Sequence, residues 1–153
     1  MIGVKFIIII KFIIYPLLST IFGTSLPLVA VVSCSMEHQF TDCGESNTPA
    51  VLCSTTGSGV VSDDTYWKHC GEFYGRKNIS KEEFETYPFD DGFNKGDVII
   101  LKGKEPSSIE KGDVLVFRAN TELSYPIIHR VVDIHEMNGS YVFETKGDHN
   151  PKQ

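Results

Sequence analysis

One closely spaced serine pair, the histidines and a scatter of carboxylates are the side chains here that point most directly to making or breaking a covalent bond. Ser33 and Ser35 flank Cys34. A serine hydroxyl is a poor nucleophile until a base takes its proton, so either serine needs a partner from elsewhere in the chain. Histidine is the natural candidate, since its charge changes near neutral pH. His129 stands among Ile127, Ile128, Val131 and Val132, an apolar setting that keeps the ring neutral and able to accept a proton. The same setting suits a buried histidine satisfied by a backbone carbonyl. His135 shares the side of His129 by parity, His38 is too near Ser35 in sequence to place, and His69 belongs to another segment. A carboxylate accepting from the far ring nitrogen would orient the imidazole. Asp148, in Lys146-Gly147-Asp148-His149, offers one, though an aspartate after glycine is ordinarily a turn residue. Lys111 and Lys146 supply an alternative, a lysine base.

These groups must be brought together by the surrounding elements. From Phe6 to Val32 the only charge is Lys11, and such an apolar run is long enough for a membrane-spanning helix of about 20 residues, approximately residues 7–22. A cleavable signal peptide is the competing reading. Lys5 and Lys11 on the N-terminal side place that end in the cytosol and the rest outside, by the positive-inside tendency. Residues 28–32 then read as a short strand delivering the serines. Residues 41–65 have loop composition, and Trp67, Cys70, Phe73 and Tyr74 recur at helical spacing. Ser80-Lys81-Glu82-Glu83 is a capping box opening a second short helix, and the aromatic residues around it are expected to form a small satellite core.

From Phe93 onward the period becomes two. Residues 97–101, 113–117, 125–134 and 141–144 are strand candidates, two of them opening with Lys-Gly-Asp at 95–97 and 111–113, where glycine supplies an unusual backbone angle. Residues 37–153 carry 12 basic against 20 acidic side chains, a net of −8, which argues against a nucleic-acid partner. Zinc on Cys43, Cys53, His69 and Cys70 lacks the short C-x-x-C knuckle; a disulfide among Cys43, Cys53 and Cys70 is the expected use, and no metal or cofactor is expected.

Taken in order, Ser33-Cys34-Ser35-Met36-Glu37, Phe93-Asn94-Lys95-Gly96-Asp97, residues 112–117, Ile127-Ile128-His129-Arg130-Val131-Val132 and residues 145–150 resemble signal peptidase I, in its archaeal and endoplasmic-reticulum form, over residues 12–40 and 92–153. The resemblance implies a mainly β fold: a small signal-peptidase-like β domain with one N-terminal transmembrane helix and a short helical insertion. Residues 1–26 are the cytosolic tip and span, and 27–153 an extracytoplasmic peptidase domain with its insertion at 41–91. It implies a membrane-bound serine endopeptidase that removes signal peptides from preproteins through an acyl-enzyme. Ser35 is the nucleophile, His129 the general base, Ser33 part of the oxyanion hole and Asp148 an acidic residue of the active site. The partners implied are signal peptides, membrane lipid and other secretion-machinery subunits. Cys34 stands where the family usually has glycine, which leaves open a role for its thiol, and His38 where it usually has proline. A second aspartate that commonly follows would fall at position 154, so either Asp148 orients the histidine or the sequence is a fragment. A non-catalytic membrane-anchored β module binding secretory chains or partner subunits is the alternative.

Overall fold

In the computed structural model of the chain, residues 7–43, 49–118 and 125–151 are described. Strand β1 (Leu28–Ala30) leads into the serine segment. Within the insertion, β2 (Val51–Leu52) and β3 (Thr55–Thr56) make a minimal hairpin. A helix at Asp63–Arg76 follows, its first turn capped by the Ser62 hydroxyl accepting from the Thr65 N–H. The capping-box helix is one turn, Lys81–Phe84, with Ser80 accepting from the Glu83 N–H.

The Lys-Gly-Asp turns behave as glycine before a strand should. Gly96 and Gly112 hold φ of 102° and 95°, a region open to glycine at little cost, and each is followed by a strand, β4 (Val98–Ile100) and β5 (Val114–Phe117). β4 pairs antiparallel with β1, Val29 opposite Ile99. β5 pairs with β6 (Ile127–Met137), and β6 with β7 (Ser140–Lys146), giving an antiparallel sheet in the order β5-β6-β7. Asn138 and Gly139, both at positive φ, make the two-residue connection between β6 and β7 that an Asn-Gly pair favours.

The expected mainly β domain on a transmembrane helix is overturned on both counts. Helix and strand occur in nearly equal parts, 28% and 26%, and the insertion is part of the core rather than a satellite. Tyr66, Cys70 and Tyr74 of the long helix pack with Leu52, Ile79, Phe84 and Val132 of β6 in one buried cluster. Val31, Met36, Phe93 and Ile128 form a second. The physical reason is strand length: β1, β4 and β5 span three or four residues each and cannot cover one face of β6 unaided. Burying an aromatic or aliphatic side chain contributes about 1.5–3 kcal/mol, and the helix supplies those side chains.

No helix among the described residues is long and apolar enough to cross a membrane. The helical stretch described at residues 7–22 is interrupted by a π-helical turn at Ile10–Ile14 and ends at Gly23, whose φ is 62°.

All four cysteines are paired, Cys34 with Cys43 and Cys53 with Cys70. The second bridge falls among the three cysteines expected to pair and splits the zinc set; the first removes the free thiol between the serines.

Candidate active site

The serine segment is held from two sides. On one, the Val31 N–H donates to the Asp97 carbonyl at 2.8 Å and the Gly96 N–H to the Val31 carbonyl at 2.9 Å, while the Phe93 N–H donates to the Met36 carbonyl at 3.0 Å. On the other, the turn after β7 returns to it, the His149 N–H donating to the Ser35 carbonyl at 3.0 Å. Cys34 and Met36 point inward and are buried, which leaves Ser33 exposed and Ser35 half-buried on the opposite side. Their hydroxyl oxygens lie 3.2 Å apart.

β6 carries His129 opposite Leu115 of β5, with the Phe117 ring edge-on at 6.3 Å. The alternation along β6 puts Arg130 on the other face, buried. Gly147 is the residue over which the serine and histidine segments meet. A Cβ there would stand 2.7 Å from the Ser35 carbonyl oxygen and 2.9 Å from His129 Nε2, closer than side-chain carbons pack. Gly147→Ala is therefore expected to force the two segments apart and to lower the rate at which a serine-directed acylating reagent labels Ser35 far more than it lowers the melting temperature, measured side by side on the purified protein.

Burial lowers the His129 imidazole below its ordinary value of 6.5, and the nearby Lys146 ammonium adds to this, while the Asp148 carboxylate opposes it. Asp148 thus reaches His129 as a charge. Its hydrogen bonds come from elsewhere: Arg130 Nε at 3.1 Å and Nη2 at 2.7 Å, Tyr74 Oη at 2.7 Å and His38 Nε2 at 3.0 Å. Burial alone would raise this carboxyl, but the Arg130 guanidinium and the His38 hydrogen bond outweigh it and hold it well below the usual carboxylate range. Arg130 also donates to the carbonyls of Pro88, Gly112 and Phe89, so all five of its N–H groups are used.

Lys146 is buried with Nζ donating to the carbonyls of Gly147 and Asp148 and lying 5.1 Å from the rings of Phe73 and Tyr74. Burial brings its ammonium down to about 8, yet its contacts are with the helix and its own turn rather than with the serines. Lys111 lies apart, donating to the Lys77 carbonyl at 3.4 Å and 3.8 Å from Asp133. His135 is outward, on Glu144 at 3.2 Å.

Ser33, Ser35, His129 and Asp148 are thus gathered around the turn at residues 146–149. Sequence reasoning missed Arg130, His38, Tyr66 and Tyr74, which enclose Asp148. His38 stacks on Tyr66 with ring centroids 3.7 Å apart, and the Tyr66 hydroxyl donates to the Asp148 carbonyl at 3.1 Å. The one signal available was His38 standing in a position usually held by proline.

A groove of about 390 Å³ runs between β4 and β5, lined by Ile99, Leu101, Ile109, Val114, Leu115 and Phe117 among others; of these, Leu115 and Phe117 also neighbour His129. Each of the two strands has one neighbour only in the sheets described, so backbone donors and acceptors border the groove on both sides.

No protein-family model matches the chain, and no solved structure does. Over 59 residues, 38% of its length, the chain is 39% identical to "Signal peptidase complex catalytic subunit SEC11C" of Homo sapiens and of Mus musculus, the match covering 30% of those proteins. Over 59 residues it is 41% identical to "Signal peptidase complex catalytic subunit SEC11" of Eremothecium gossypii, over 34% of that protein. The chain spans about a third of the length of the curated relatives it matches. Each of these is a partial similarity to a protein named as a signal peptidase complex catalytic subunit.

Proposed function

We propose that the chain is a serine endopeptidase that removes signal peptides, Ser35 attacking the scissile carbonyl and His129 taking the serine proton. The observation that carries the reading is the convergence of the Ser35 and His129 segments over Gly147, where only a residue without a side chain leaves room. The Ser33 hydroxyl, next to that of Ser35, joins the Ser35 backbone N–H in stabilising the tetrahedral oxyanion. His129 then returns its proton to the leaving amine, and water hydrolyses the acyl-enzyme. Asp148 supports the imidazolium electrostatically. Residues 27–153 form the peptidase domain, with the helices of 41–91 built into it. Two disulfides support a reading in which this domain lies in an oxidising, extracytoplasmic compartment. Preproteins are the substrates, with other subunits of a processing complex as partners, as in the relatives' names. An extended preprotein segment adds to the open edge of β4 or β5, its alternate side chains entering the groove.

The test is acylation. Mass spectrometry of a trapped intermediate should place the acyl group on Ser35, and the acylation rate should rise with pH to a plateau. Protonation of the base stops proton transfer, so a base whose folded value is lowered keeps the reaction running to more acidic pH, and the midpoint is expected below 6.5. A midpoint near 8 would instead assign the base to Lys146.

One observation favours the non-catalytic alternative: the carboxylate of Asp148 accepts from Arg130, Tyr74 and His38, none of them the imidazole of His129. Binding of a signal-peptide substrate with no acyl group on any serine would decide for it.

A further inference from the structure

We infer that Cys34, Cys43 and His149 form a divalent-metal site that opens when the Cys34–Cys43 disulfide is reduced, so that the turn carrying Ser33 and Ser35 is held either by a disulfide or by a metal ion. The two sulfurs and His149 Nε2 lie within 4.8 Å of one another, with Cys43 Sγ 3.5 Å from Nε2. The His149 Nδ1–H donates to the Glu37 carbonyl at 3.1 Å. That bond leaves Nε2 with its lone pair facing the sulfurs, the arrangement that fixes a ligating histidine in metal sites. Two thiolates and an imidazole suit zinc, with a fourth position left to water. Cys43 is exposed, which gives a reductant and then a metal a way in, whereas Cys70 of the second bridge is 2% exposed.

The step balances with a small dithiol as reductant. Its two thiols pass two electrons to the Cys34–Cys43 bond and close to a cyclic disulfide, and each cysteine sulfur takes a proton. The incoming Zn²⁺ displaces both protons and forms two metal–thiolate bonds. Because the His149 N–H also holds the Ser35 carbonyl, a metal joining residues 34, 43 and 149 braces the turn as the disulfide does. In an oxidising compartment the disulfide prevails; before oxidation, or after reduction, the metal does.

The experiment uses the full chain, mildly reduced with a dithiol that is then removed without oxygen, and titrated with Co²⁺ as the probe for Zn²⁺. The reduced protein is expected to take up a single equivalent with thiolate charge-transfer absorption, and the oxidised protein none. Bound Zn²⁺ should protect Cys34 and Cys43, and not Cys53 and Cys70, from alkylation mapped by mass spectrometry. Outer partners of a ligating histidine alone are worth about 10–100-fold in affinity, and His149→Gln is expected to cost at least that. No uptake by the reduced protein, or protection of Cys53 and Cys70 instead, overturns the site; the mapping needs no variant, so a folding defect in one cannot mask the result. The effect on Ser35 rests on the peptidase reading: a chelator should inactivate the reduced enzyme and spare the oxidised one. Metal uptake without any peptidase activity would leave the site standing and remove that reading.

Discussion

Ser35→Ala is expected to cut kcat on a preprotein substrate by roughly 10⁴-fold or more, with KM nearly unchanged, because the hydroxyl forms a covalent bond that no neighbouring group can replace. At about 1.4 kcal/mol per factor of ten, this is more than about 5 kcal/mol of transition-state stabilisation. His129→Ala should fall as low, and Ser35→Ala combined with His129→Ala no lower, since a nucleophile without its base and a base without its nucleophile fail at the same step. Ser33→Ala separates the roles of two hydroxyls only 3.2 Å apart. As the loss of one oxyanion donor it should cost about 10²–10³-fold while acylation at Ser35 persists. If Ser33→Ala abolishes the acyl-enzyme and Ser35→Ala merely slows it, the assignments are reversed. Undiminished cleavage by Ser35→Ala would end the reading altogether.

What the sequence disclosed of this arrangement follows from local rules. The Lys-Gly-Asp turns and the Ser80 cap depend on residues within a few positions of one another, and both were readable. The apolar residues around His129 correctly placed it on a long strand. The pairing of Cys34 with Cys43 was not readable, because sequence carries no information on which sulfurs meet. Nor was the contribution of the helix. Trp67, Cys70, Phe73 and Tyr74 gave the helical period but not the destination of its face, and that face supplies the Tyr74 hydroxyl to Asp148. The N-terminal apolar run misled for a related reason: hydropathy scores composition, whereas among the described residues the helix there passes through a π-helical stretch at Ile10–Ile14 and stops at Gly23.

Asp148→Ala should be the most destabilising single change away from the serines. Asp148 and Arg130 are both 0% exposed, and removing one partner of a buried pair costs about 3–5 kcal/mol, because the other is left as an uncompensated charge. Here the guanidinium would keep its carbonyl acceptors at Pro88, Phe89 and Gly112, which places the cost at the lower end, while the Tyr74 hydroxyl and His38 would each lose an acceptor. At roughly 2–4 °C per kcal/mol for a chain of this size, the melting temperature should drop by about 10 °C. The pH dependence identifies the cause. A carboxyl held below its unfolded value contributes stability that is fully present above that value, 3.8, and is lost as pH falls through the folded value. The gap between wild type and Asp148→Ala should therefore be constant at neutral pH and narrow only below about pH 4. Arg130→Met combined with Asp148→Ala should recover part of the loss, since no charge is then stranded. If the double variant is as unstable as the sum of its parts, the pair is not coupled, and the burial of Asp148 beside the serines has a different cause.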